Sequence, residues 1–173
     1  MAVAGQSREL ARNFRWKDVR SQTLAVVLMI AAPLTTAVAR DLALVSNKSN
    51  ELSAITMADL VKICKAETAR LPDGKPVTFI TRDPGAPEMN VMLEKIYGMN
   101  KDAVNALIAT ANHARTNRPA ILVVESDEAL VKKVAGTPGA VGLVDVYSIN
   151  GSVQVLRVNG KLPLEPGYAL HGN

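Results

Sequence analysis

The sequence predicts a layered α/β domain with a mixed sheet. Short apolar runs rich in β-branched residues, Leu42 to Ser46, Val77 to Thr81, Ala140 to Val146 and Val153 to Val158, read as strands. Between them lie stretches whose apolar residues recur every three or four positions, the period of an amphipathic helix. The order is strand–helix–strand–helix–helix–helix–strand–strand, and alternation of this kind buries a sheet under helices.

Each element carries its own local signal. After the first strand, Ser46-Asn47-Lys48-Ser49-Asn50 is a polar turn. Thr56 followed by Asp59 forms a capping box for a helix through Cys64, whose stripe is Met57, Leu60, Val61 and Cys64. Cys64, the single cysteine, reads as a small core residue and can form no intrachain disulfide. Pro72-Asp73-Gly74 closes a loop into the Val77 strand. A helix starts at Pro87, where the missing proline N–H costs nothing, and ends near Gly98. Its stripe is Met89, Met92, Leu93, Ile96 and Tyr97. Asn100 caps the next helix, with Val104, Leu107, Ile108 and Ala111 facing the core. A basic loop, Arg115 to Pro119, leads to the apolar run Ile121 to Val124. Ser126 caps a helix through Ala135, with Asp127 and Glu128 suiting its positive end. Gly136-Thr137-Pro138-Gly139 turns into the Ala140 strand, and Asn159-Gly160 is a tight-turn signal. The tail from Pro163 reads as irregular, with Tyr168 and Leu170 pinning it.

Composition narrows the function. Arg8, Arg12, Arg15, Lys17 and Arg20 precede the apolar run Leu24 to Leu34, and Ala37-Val38-Ala39 is a small-x-small cleavage signal. Residues 1–39 therefore read as a signal peptide and residues 40–173 as the exported, periplasmic or secreted, domain. The apolar run falls short of the roughly 20 residues of a membrane span; an uncleaved anchor is the alternative. The chain has 20 Lys plus Arg and 16 Asp plus Glu, of which residues 1–39 hold five and two. Residues 40–173 thus hold 15 and 14, so the basic balance belongs mainly to the leader and does not argue for nucleic acid. Four aromatic rings after residue 39, Phe79, Tyr97, Tyr147 and Tyr168, are too few for a base-stacking platform.

The stretch Pro76 to Tyr97 holds the strongest candidate site. A strand that runs through a turn into a helix start aims free N–H groups and a positive dipole end at one spot, which suits an anion. Arg82 stands at its mouth with donors matched to phosphate, sulfate or carboxylate. Arg82 paired with Asp83 or Glu88 is the purely structural alternative. No Gly-x-Ser-x-Gly elbow, Walker loop or metal-ligand cluster is present. His113 and His171 have no nucleophile or carboxylate beside them at motif spacing. No enzyme activity, cofactor or metal is expected.

Several segments resemble the phosphate-binding solute-binding proteins of bacterial ABC transporters. Leu42 to Asn50 (LALVSNKSN), Ile55 to Cys64 (ITMADLVKIC), Pro72 to Val77 with Thr81-Arg82, and Thr137 to Val144 (TPGAVGLV) carry the resemblance, the last most specifically. Val155 to Gly160 and Gly167 to Leu170 also fit it. The resemblance implies a single lobe of the type II periplasmic-binding-protein fold, a mixed sheet flanked by helices. It implies a phosphate-like oxyanion held by Thr81, Arg82, Asp83, Gly85 and Ala86, with Thr137 and Gly139 nearby and Ser46, Asn47 and Lys48 contributing from an adjacent turn. An ABC permease or a second copy is the implied partner.

Two departures from the family pattern open a second expectation. Where full-length members carry Gly-Ser-Gly-Thr after the arginine, this chain has Gly85-Ala86-Pro87-Glu88. That loses two hydroxyls and one amide donor and adds a negative charge, each lost hydrogen bond being worth about 0.5–1.5 kcal/mol. No Gly/Ser/Thr-rich anion turn stands between Arg40 and Leu42 to open a first lobe. The alternative function is therefore a scaffold or interaction module that binds no solute. Arg115 and Arg118 are its candidate contacts to an acidic partner.

Overall fold

The computed structural model describes residues 40–115 and 117–172; the leader reading falls on residues 1–39, outside them. Five strands form one mixed sheet in the order β4-β3-β5-β1-β6. They are β1 (Leu42–Ser46), β3 (Thr78–Arg82), β4 (Ile121–Val124), β5 (Ala140–Asp145) and β6 (Gln154–Val155). β3 runs parallel to both β4 and β5, whereas β1 is antiparallel to β5 and to β6. A second, two-stranded parallel pair joins β2 (Ala54–Ile55) to β7 (Arg157–Val158). The mixed sheet flanked by helices is the predicted fold class.

Side chains alternate across the sheet with the period of two that strands impose. Leu42, Leu44, Phe79, Val141 and Leu143 face one core, and Ala43, Val45, Ile80 and Val144 face the other. The first face is covered by α1 (Met57–Cys64), by the helical residues 87–97 and by α3 (Lys101–His113). The second is covered by α4 (Asp127–Ala135), whose Leu130, Val131 and Val134 are buried there. Gly142 lets α4 settle close: a Cβ at that position would lie 2.8 Å from Leu130 Cδ2 and 2.9 Å from the Ile80 carbonyl oxygen. The caps follow the sequence signals. Thr56 accepts from the N–H of Asp59, Asn100 from that of Ala103 and Ser126 from that of Ala129.

Three segments differ from the sequence reading. The helix expected from Pro87 is composite, with a 3-10 turn at Pro87–Met89, one α turn as α2 (Asn90–Met92) and a π turn at Leu93–Tyr97 closed by Gly98. The expected Val153 to Val158 strand is split at the buried Leu156. There the chain leaves the large sheet as β6 and joins the small pair as β7. The apolar run Ile121 to Val124 is the edge strand β4. The tail is pinned as expected: Tyr168 donates its hydroxyl to the Leu42 carbonyl at 2.8 Å, and the Leu42 N–H donates to Leu170 at 3.1 Å.

Asn47 ties the sheet to α4. Its Nδ2 donates to the carbonyls of Val134 at 2.9 Å and Ala135 at 2.7 Å, while its Oδ1 accepts the Ser49 N–H at 2.8 Å. Replacing Asn47 by Ala strips two helix-end carbonyls of their donors, and it is expected to cost about 2–4 kcal/mol in urea unfolding of the full-length chain. Cys64 is fully enclosed, and burial pushes its thiol well above the ordinary range. Ellman's reagent is expected to leave it unlabelled in the native protein and to react fully in denaturing urea; native labelling would contradict this core placement.

Candidate functional site

Three parallel strands end on the same edge of the sheet. In such sheets the carboxyl ends of the strands are where side chains from successive loops converge. β3 delivers Arg82 there, β4 runs into Ser126 and Asp127, and β5 runs into Tyr147 and Ser148. These residues meet. Arg82 Nη2 lies 2.6 Å from Glu88 Oε1, and Arg82 Nη1 donates to Asp127 Oδ1 at 2.8 Å. Asp127 Oδ2 in turn accepts the Ser148 hydroxyl at 3.0 Å. The Arg82 and Asp127 side chains are largely enclosed, at 18% and 15% exposure, whereas Glu88 is 40% exposed. Arg82 Nε is buried without a hydrogen-bond partner.

The turn after β3 has no spare donors between residues 84 and 87. Pro84 and Pro87 carry no N–H. Gly85 donates to Asp83 Oδ1 at 2.6 Å, and Ala86 donates to the Asp83 carbonyl at 2.9 Å. Thr81 is fully buried, with its hydroxyl against the sulfurs of Met89 and Met92. Arg82 is therefore the one group of this turn that offers a cation, and two carboxylates already hold it. Glu128 stands at the same helix start. Its own backbone N–H holds its carboxyl below the usual range, with Ser126 and the charge of Arg82 adding to the effect.

The predicted site residues fall into two places. Thr81, Arg82, Asp83, Gly85 and Ala86 lie together at the end of β3. Thr137 and Gly139 do not join them: Ala140 pairs with Thr78 at the start of β3, four residues from Arg82, or about 13 Å along a strand. Gly139 donates its N–H to Asn50 Oδ1 at 2.9 Å, in a network with Ser46 and Asn47 that closes the opposite end of the sheet. Ser46, Asn47 and the exposed Lys48 belong to that end as well, because β1 is antiparallel to its neighbour β5. Spacing alone did not reveal which end each turn occupies.

Asp127 is the site residue the sequence reading missed. It looked like an acidic helix start, and only the parallel pairing of β3 with β4 brings it to Arg82. The arginine's partners are thus Glu88 and Asp127, with Asp83 turned to Gly85. His171 is likewise not isolated: its Nδ1 pairs with the buried carboxylate of Asp41, 130 positions away in the chain. Arg115 and Arg118 are bound by the domain itself, Arg115 to the carbonyls of Val77 and Thr68 and Arg118 to Thr78 and the Pro138 carbonyl. Among the described residues, no group of three or more His, Cys, Asp or Glu side chains is placed to hold a metal.

The fold has clear structural relatives. An ABC-type phosphate transport receptor from Vibrio cholerae superposes with a TM-score of 0.61 at 18% identity, covering 78% of this chain and 54% of the receptor. PstS from Borrelia burgdorferi gives 0.59 at 19% identity, covering 78% and 55%. A phosphate-binding protein from Stenotrophomonas maltophilia gives 0.54 at 14% identity, covering 72% and 40%. The chain has the fold of periplasmic solute-binding proteins of this phosphate-receptor type and spans about half the length of the receptors it matches. No protein-family profile and no curated protein sequence matches it.

The cluster gives an ordered expectation for stability. Asp127→Ala leaves a largely enclosed guanidinium short of one charge partner and is expected to cost about 2 kcal/mol. Glu88→Ala removes a more exposed partner and is expected to cost under about 1 kcal/mol. Urea unfolding of both variants checks the ranking.

Proposed function

We propose that this chain is a ligand-receiving lobe of an exported solute-binding protein of the kind that serves ABC transporters, taking phosphate or another small oxyanion at the end of β3. The observation that carries this reading is the pairing of Arg82 with Glu88. The guanidinium already holds an oxyanion, the protein's own, and that carboxylate is the exposed member of the cluster. An incoming oxyanion takes the place of Glu88 on Nη2. Asp127, fixed by Ser148, keeps Nη1 and with it the orientation of the planar fork. Asp83, Gly85 and Ala86 shape the turn around the anchor, and Thr81 packs beneath it. The transport receptors among the structural relatives accord with a non-enzymatic role. A second copy or a permease would complete the cleft that one lobe leaves open.

One observation favours a second reading, the interaction module. Residues 84–87 offer no N–H to a ligand, so an oxyanion gains fewer hydrogen bonds here than at an open helix start. Calorimetric titration of the full-length chain with phosphate and sulfate separates the two readings. Glu88→Gln removes the internal competitor and is expected to tighten oxyanion binding about tenfold, equivalent to ~1.4 kcal/mol. Arg82→Ala, checked for intact secondary structure, is expected to abolish it. If neither the wild type nor Glu88→Gln takes up either anion, the solute-binding reading fails and the module reading replaces it.

A further inference from the structure

We propose a second binding site, at the opposite end of the sheet from Arg82, for a small organic monoanion with an apolar body, of the short-chain carboxylate class. The site arises from incomplete cover. α4 buries Ile80, Ala43, Val45 and Val144 beneath it, but Leu122 and Val124 on the edge strand β4 stay only partly buried. Beside this uncovered margin lies a cavity of about 180 Å³, with Ile80, Leu122 and Pro119 as apolar lining. At roughly 30 Å³ of liquid volume per water, it has room for a molecule of about six non-hydrogen atoms.

The polar groups of the cavity have one sign. Arg118, Lys133, Thr78 and Thr137 line it, and no carboxylate does. Arg118 donates Nε to the Thr78 hydroxyl and Nη2 to the Pro138 carbonyl at 2.7 Å. These bonds fix the guanidinium and leave Nη1 uncommitted among the described residues. Lys133 has no carboxylate partner among the described residues, and the Thr137 hydroxyl makes no hydrogen bond there. The helix end that would otherwise oppose an anion is quenched, because Asn47 occupies the carbonyls of Val134 and Ala135. Two cations and a hydroxyl over an apolar floor select an anion that is itself half apolar. Inorganic phosphate would leave the partly exposed Leu122 surface uncovered and would lose hydration over it.

This inference does not rest on oxyanion binding at Arg82. The test is NMR titration of the ¹⁵N-labelled full-length chain with butyrate and, separately, with inorganic phosphate. Butyrate is expected to shift the amides of Leu122, Lys133 and Thr137 saturably, with a dissociation constant of about 1 mM. Lys133→Gln and Thr137→Val are each expected to weaken it about three- to fivefold. Three outcomes would overturn the proposal: no saturable shift at those amides, a butyrate affinity untouched by both cavity variants, or phosphate binding there as tightly as butyrate. A shift confined to the Arg82 turn counts as the first of these.

Discussion

The parallel pairing of β3 with both β4 and β5 is the constraint from which the rest of the architecture follows. Parallel neighbours need crossover connections that leave the sheet and return. From β3 the chain moves one way to β4, and from β4 it moves back past β3 to β5. Crossovers of one hand that step in opposite directions must lie on opposite faces. Residues 87–97 and α3 therefore cover one face and α4 the other, and the two cores partition accordingly. The same pairing sends the ends of three strands to one edge and their starts to the other. Arg82 and Asp127, 45 positions apart, meet for that reason, and Thr137 is kept from them for the same reason.

Charge follows this division. At the strand-end edge, Arg82 stands among Asp83, Glu88, Asp127 and Glu128, with Arg40 paired to Asp145 further along. At the opposite edge, Arg118 and Lys133 face a cavity without carboxylates. A near-neutral total over residues 40–173 hides two ends of different character. Partly enclosed charges matter more than the total, since water and salt screen exposed pairs far more than enclosed ones.

Most of the fold was legible because its signals are local. Caps at Thr56, Asn100 and Ser126, the Asn159-Gly160 turn and the apolar stripes of α1 and α3 depend on residues within a few positions of one another. The composite character of residues 87–97 was not legible: the stripe of Met89, Met92, Leu93, Ile96 and Tyr97 fits an α-helix, and the looser final turn shows only in the bond from Gly98 back to Leu93. The break at Leu156 was hidden because a continuous apolar alternation does not say which sheet each half joins. At the site, Arg82 and its turn could be read from sequence, and the loss of donors at Gly85-Ala86-Pro87 as well. The clamp by Asp127 could not, since it depends on strand order, and the Asp41–His171 pair could not, since it depends on where the tail docks beside β1.

On the proposed oxyanion reading, the enclosure of Arg82 also bears on which anions would compete there. Exchange with Glu88 swaps one carboxylate for another anion, so the pairing with Nη2 contributes little net energy. What decides the balance is everything else the ligand meets. A dianion brings a second charge beside Asp127 and Glu128, and a single guanidinium cannot offset it. A monoanion avoids that repulsion and keeps the fork contact. Full-strength binding of a dianion needs further donors and a lower dielectric around the edge. Neither comes from the turn itself, because residues 84–87 have spent or lack their N–H groups. They would have to come from a surface placed against this edge, which makes ligand strength and the docking of a second lobe or copy two expressions of one interaction.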